Sequence, residues 1–157
     1  MVNVLGLDIG GANSKATFLK TQKGTVKEIE TLLEYFPIWK DRKESLPKVL
    51  EKLKTKLAGT KSVDGVGVTI TAELSDAYRT KREGINHVLD CVCQVFVGVP
   101  LFVLDVEANL LSVEEARRES LRVASANWAA TGWMVSKLVN DCVVVEPLNP
   151  NKLHSID

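Results

Sequence analysis

The chain has 157 residues, 45% of them hydrophobic, and its 20 Lys and Arg residues balance 20 Asp and Glu residues. That length suffices for one buried core, and no shift of composition divides it in two. The charge balance argues against nucleic acid or an anionic membrane as partner, so any anion bound here must be held by local groups.

Cys91, Cys93 and Cys142 are odd in number, stand in apolar surroundings and lack zinc spacing, so they read as reduced, buried thiols. The first residues lack the basic-then-apolar order of a secretory signal. No segment reaches the roughly 18–20 apolar residues of a membrane span. The cytoplasm is the expected location.

Taken in chain order, Val2–Ile9 is an apolar run bounded by Gly10-Gly11, and residues 14–20 alternate Ala16 and Phe18 against Thr17 and Leu19. Two strands joined by a glycine turn follow from that pattern. A third strand is predicted over residues 25–33, after the turn at Gln22-Lys23-Gly24. The aromatic cluster Tyr35-Phe36-Pro37-Ile38-Trp39 suits a packed loop. Leu46, Val49, Leu50, Leu53 and Leu57 then recur at helical spacing up to Gly59. Strands over 63–70 and 101–105, with a helix over 84–96 between them, imply a parallel crossover. From residue 112 to 139 there is no proline, and small or apolar residues recur three or four apart, which predicts one helix about 40 Å long. Ser112 with Glu115 three residues later forms a capping box at its start. A last strand over 142–145 closes a domain of residues 1–146, and 147–157 reads as a polar tail with two prolines.

A meander of three strands followed by alternating helices and strands is the order of a ribonuclease H-like α/β half-domain, a mixed sheet with flanking helices. The chemistry concentrates at its turns. Asp8 ends a central strand, Gly10 and Gly11 make the turn, and Ala12, Asn13, Ser14 and Lys15 lead into the next strand. Glycines let backbone N–H groups approach phosphate oxygens, and Asp8 can orient hydrated magnesium. The competing reading is a plain hairpin with a turn-capping carboxylate. The spacing is neither a Walker loop nor the longer dinucleotide fingerprint.

A second polar group follows the strand over 63–70, at the carboxyl end where open α/β sheets bind ligands. There Thr71 and Glu73 can orient a substrate or relay a proton, and Arg79, Lys81 and Arg82 can clamp carboxylate or pyrophosphate oxygens. A solvated loop of charges is the alternative. Asp105 follows the next parallel strand and is either a second candidate, with Asp8, for one metal or part of a simple loop leading into the next helix. Asn127 lies on the inward stripe of the long predicted helix, as a structural hydrogen-bonder or a ligand contact. Trp128 and Trp133 read as packing residues, and His87 as a surface residue.

Four stretches together carry a resemblance: Gly6-Leu7-Asp8-Ile9-Gly10-Gly11-Ala12-Asn13-Ser14-Lys15, Tyr35-Phe36-Pro37-Ile38-Trp39-Lys40, Thr69-Ile70-Thr71-Ala72-Glu73-Leu74 with Arg79-Thr80-Lys81-Arg82-Glu83-Gly84, and Ala124-Ser125-Ala126-Asn127-Trp128. The chain resembles the hydantoinase A-related family linked to tetrahydromethanopterin one-carbon metabolism, itself similar to the actin and sugar-kinase superfamily. The resemblance implies an archaeal methanofuran-biosynthesis transferase. Its reaction joins a furan methylamine diphosphate to the phenol oxygen of γ-glutamyltyramine and releases pyrophosphate. Magnesium is the implied cofactor and a small-molecule diphosphate the implied partner. For that reaction Asp8 and Glu73 are the catalytic candidates, Glu73 as the group that helps deprotonate the phenol, and Arg79, Lys81 and Arg82 are the candidates for the glutamyl carboxylates. The general expectation of two competing functions stays open: an ATP-dependent kinase or hydrolase of the superfamily, and a non-catalytic dimerising half-domain.

The sequence departs from the family where a second phosphate loop is expected after residue 145. Glu146-Pro147-Leu148-Asn149-Pro150 stands there instead. A shortened gene product, a deliberate fragment and a half that pairs with another copy or another chain are the three explanations.

Overall fold

The computed structural model describes residues 1–145. Strands β1 (Val2–Ile9), β2 (Asn13–Gln22) and β3 (Thr25–Tyr35) form an antiparallel meander. Helix α1 (Leu46–Ala58) leads to β4 (Gly65–Ile70), and α2 (Lys81–Val95) leads to β5 (Leu101–Leu104). β4 runs parallel to β1, and β5 parallel to β4. A two-residue strand β6 (Leu110–Leu111) turns back on β5, and the sheet order is β3-β2-β1-β4-β5-β6. An antiparallel meander followed by two parallel strands on helical crossovers is the ribonuclease H-like topology expected from the sequence.

Strand alternation decides which side chains form the core. Leu5 lies between Phe18 and Val66, Leu7 between Ala16 and Val68, and Ile9 between Ser14 and Ile70. All of these are buried, and they share one core with Leu46, Leu50, Leu53 and Leu57 of α1 and Ile85, Val88, Leu89 and Val92 of α2. Each fully buried Leu, Ile or Phe contributes about 1.5–3 kcal/mol. The opposite parity of the same strands sets Asp8 between Lys15 and Thr69. The pleat that makes the core therefore also assembles the polar row.

Two predicted elements differ. In place of one helix over 112–139 the chain forms α3 (Val113–Arg118), α4 (Ser120–Val123) and α5 (Asn127–Ser136). The capping box is present, with the Glu115 N–H donating to Ser112 Oγ and the Ser112 N–H to the Glu115 carboxylate. The break is tertiary: Ala124 bridges to Ile70, the Ser125 N–H donates to the Ile70 carbonyl at 3.0 Å, and Ser125 takes φ +54°. Pairing with the end of β4 outweighs local helix propensity. Residues 142–145 form no strand and pair with nothing in the sheet. The predicted tail over 147–157 lies outside the described residues.

Candidate functional site

The turn between β1 and β2 sits at the carboxyl edge of the parallel strands. Asp8 pairs with Lys15 at 3.1 Å and accepts a hydrogen bond from Thr69 Oγ1 at 3.3 Å. The Gly10 N–H closes the turn on the Asn13 carbonyl at 2.9 Å. Phe36 and Ile38, both buried, donate their N–H groups to the carbonyls of Ala12 and Gly11 at 3.0 and 2.8 Å. Among the described residues, the N–H groups of Gly11 and Ala12 bond to nothing in the chain. The aromatic loop predicted over 35–39 is thus the backing of the hairpin.

The two glycines are not equivalent, and neither adopts a positive φ. A Cβ on Gly10 would lie 2.9 Å from the Asn13 carbonyl oxygen and 3.4 Å from Thr71 Oγ1, whereas one on Gly11 would make ordinary contacts with Ser75 and Trp39. Close approach, not left-handed backbone, is what calls for glycine at position 10. Ser14 departs from the expected phosphate row: it shares the core face with Ile9, is 1% exposed, and its hydroxyl has no partner. Alternation turns it away from Asp8 and Lys15.

The loop after β4 joins the same edge, with the Thr71 N–H on the Ile9 carbonyl at 2.9 Å. Two residues on, in the 3-10 turn Ala72–Leu74, Glu73 is only 3% exposed. Its Oε1 accepts from Ser125 Oγ at 2.8 Å, while its Oε2 is buried without a partner. Burial raises the Glu73 pKa, with the Ser125 hydrogen bond pulling it back. Ser125, on the loop that breaks the predicted long helix, was not singled out as a site residue from the sequence. Only its place in the Ala124–Trp128 stretch hinted at it. Asn127, half-buried, opens α5 two residues further on.

A second buried chain of groups runs along α2. The Tyr78 hydroxyl lies 2.7 Å from His87 Nδ1, and His87 Nε2 lies 3.6 Å from Cys91 Sγ. His87 is therefore not the surface residue its sequence context suggested. Burial pushes the Cys91 thiol up to about 11 and the Tyr78 phenol upward as well, so neither is primed as a nucleophile. Lys43 covers the Tyr78 ring and pairs with Glu83 at 2.9 Å. Cys91 is buried as expected, but Cys142 is exposed, and Trp128 and Trp133 are more than half exposed instead of packed.

Arg79, Lys81 and Arg82 are all exposed. Lys81 is close enough to Glu73 to lower its pKa slightly, whereas Arg82 faces Asn86, Asp90, Arg117 and Arg118. Asp105 does not join Asp8. Its Oδ1 accepts the N–H groups of Glu107 and Asn109 at 2.9 and 2.8 Å, and its Oδ2 accepts from Arg122 at 2.5 Å and the Asn109 amide at 3.4 Å. Those four contacts use its acceptor sites. Burial would raise its pKa, yet these donors outweigh it and hold the carboxyl below its usual value.

Among the described residues, no group of three or more His, Cys, Asp or Glu is placed to hold a metal ion. Asp8, whose two oxygens meet Lys15 and Thr69, is the carboxylate this turn presents, and one carboxylate is compatible with magnesium, which keeps several waters and relies on substrate phosphates. No helix among the described residues is long and apolar enough to cross a membrane.

A family model described as hydantoinase/oxoprolinase matches residues 64–146, just over half of the chain. The chain belongs to the hydantoinase/oxoprolinase family. This family member is 37% identical over 146 residues to the (4-{4-[2-(gamma-L-glutamylamino)ethyl]phenoxymethyl}furan-2-yl)methanamine synthase of Methanocaldococcus jannaschii. The match takes in 92% of this chain but 40% of the synthase, so the chain spans two fifths of that relative's length. Among solved structures, a Ppx/GppA phosphatase of Aquifex aeolicus is 19% identical with TM-score 0.43, over 64% of this chain and 35% of the phosphatase. RuvC of T. thermophilus, solved with a Holliday junction substrate, is 14% identical with TM-score 0.41, over 94% of this chain and 85% of RuvC. Likenesses at these scores are loose, and the fold assignment rests on the strand order.

Proposed function

We propose that this chain is the diphosphate-binding part of a methanofuran-biosynthesis transferase. In that reaction the phenol oxygen of γ-glutamyltyramine forms a bond to the furan methylene carbon. The bond from that carbon to the diphosphate breaks, pyrophosphate leaves, and the phenol proton passes to a base or to solvent. The observation that carries the reading is the hairpin: two free N–H groups, at Gly11 and Ala12, stand beside the Asp8–Lys15 pair. Fixed donors aimed at a departing diphosphate stabilise the charge that grows on it. Asp8 and Thr69 would hold magnesium, which supplies further neutralisation of that charge when bound. The name of the 37% identical synthase supports the substrate class.

The other residues take narrower roles. Arg79 and Lys81 suit the substrate's glutamyl carboxylate. Enclosed as it is, Glu73 is assigned to positioning: it holds Ser125, and through it the start of α5 at Asn127. The partner that completes the site is a second half, in the same chain or another, or a second copy. A second reading, association without catalysis, is favoured by the apolar residues that α5 and its flank leave exposed, Trp128, Trp133, Met134 and Leu138.

Calorimetric titration with pyrophosphate and with ATP, each with and without magnesium, tests these readings beside Asp8→Asn. Magnesium-dependent pyrophosphate binding that vanishes in Asp8→Asn supports the transferase. Preferential ATP binding with hydrolysis replaces it with a kinase or hydrolase. Binding of neither moves the association reading to first place.

A further inference from the structure

Arg82, Asn86 and Asp90 recur every fourth residue along α2 and so share one face of the helix. They line a groove whose other wall is Arg117 and Arg118 of α3. Arg117 is fixed there: its NH2 donates to Asp90 at 2.6 Å, and its NH1 reaches the carbonyl and side-chain oxygens of Asn86, both at 3.4 Å. Arg82 and Arg118 are exposed, and among the described residues neither forms a salt bridge or side-chain hydrogen bond.

Three guanidiniums line this groove against the one carboxylate of Asp90, and with Glu115 close enough to feel the charge of Arg118 the groove still keeps a positive excess, in a chain of zero net charge. Helix stability does not explain Arg82, which with Lys81 occupies the first turn of α2, where the helix dipole opposes a cation. Nor is any positive charge enough: arginine presents a planar fork of donors that matches phosphate oxygens in pairs, which lysine does not.

We propose that the α2–α3 groove binds a dianionic phosphate group, as inorganic phosphate or a phosphate monoester, separately from the hairpin at Gly10–Gly11. Arg82 and Arg118 are the free donors, and Arg117, held by Asp90 and Asn86, is the fixed third.

The test follows amide NMR shifts of the whole chain during titration with inorganic phosphate and with phenyl phosphate, at constant ionic strength. The variants are Arg82→Ala with Arg118→Ala, and separately Asp8→Asn. The two arginines make no internal bonds, so the double variant should fold, and unchanged shifts away from the groove verify that. The expected result is saturable shifts in α2 and α3, with affinity about tenfold or more weaker in the double variant, as for loss of a charge-assisted pair, and unchanged in Asp8→Asn. Saturation by phosphate alone or by both ligands supports the site and separates a free from an esterified source. Shifts that do not saturate, or affinity that the double variant retains, would overturn it.

Discussion

Glu73 and Gly84 meet where the loop after β4 presses onto α2: a methyl group on Gly84 would lie 2.6 Å from the Glu73 Cα and 2.7 Å from its Cβ. Alanine gains about 1 kcal/mol over glycine in helix propensity. Overpacking against backbone costs about 1–3 kcal/mol, so the contact should win. Gly84→Ala is expected to lower the urea midpoint without changing the slope. A midpoint at or above that of the parent would show that the junction has room to relax.

Ser125 combines φ +54° with the hydroxyl that Glu73 accepts. Ser125→Ala and Ser125→Gly both lose the side-chain hydrogen bond to the buried Glu73 carboxyl, a cost of about 1–3 kcal/mol. Glycine relieves the backbone and alanine does not, so the glycine variant should be the more stable of the two by about 0.5–1 kcal/mol. Equal unfolding free energies would remove backbone strain from the account of this loop.

The raised pKa of Glu73 makes stability pH-dependent with a definite sign. A carboxyl that holds its proton more tightly when folded gives stability fully present below the unfolded value near 4.5, and lost as pH rises through the folded value. Glu73→Gln removes that slope. Urea unfolding from pH 4 to pH 8 should therefore show the variant gaining on the parent as pH rises; parallel profiles would mean that Glu73 titrates as an exposed carboxyl does.

Gly10 and Gly11 should respond differently to the same substitution. Gly10→Ala brings a methyl group to 2.9 Å from a backbone oxygen and should both destabilise the hairpin by about 1–3 kcal/mol and abolish pyrophosphate binding. Gly11→Ala adds only ordinary contacts and should stay within about 0.5 kcal/mol of the parent. Thermal melts and pyrophosphate titration of the two variants check the contrast.

What was legible in the sequence followed its periodicities. The alternation of Leu5, Leu7 and Ile9, and the helical spacing of Leu46, Leu50, Leu53 and Leu57, encode burial directly, and the strand order came out of them. The carboxylate-glycine turn was legible because Asp8 stands at the end of a strand. What failed depended on partners distant in sequence. Residues 112–139 carry helical spacing throughout, yet the edge of β4 at Ile70 captures Ser125 and breaks the helix. Asp105 reads as a ligand by its place after a strand, but Arg122, 17 residues on, claims it. His87 shows no partner in sequence terms because the hydroxyl it meets belongs to a tyrosine nine residues earlier, on a loop.

The pairing of Phe36 and Ile38 with the carbonyls of Ala12 and Gly11 gives the hairpin a polarity of its own. With the Gly11 and Ala12 carbonyls bonded to this loop and the N–H groups of the same two residues left unbonded, the backbone of the turn suits an anion before any side chain contributes. It offers an anion two hydrogen bonds. On the proposed reading two buried residues outside the turn, Phe36 and Ile38, would share in its selectivity, and altering how either seats would blur it while leaving every candidate ligand contact in place.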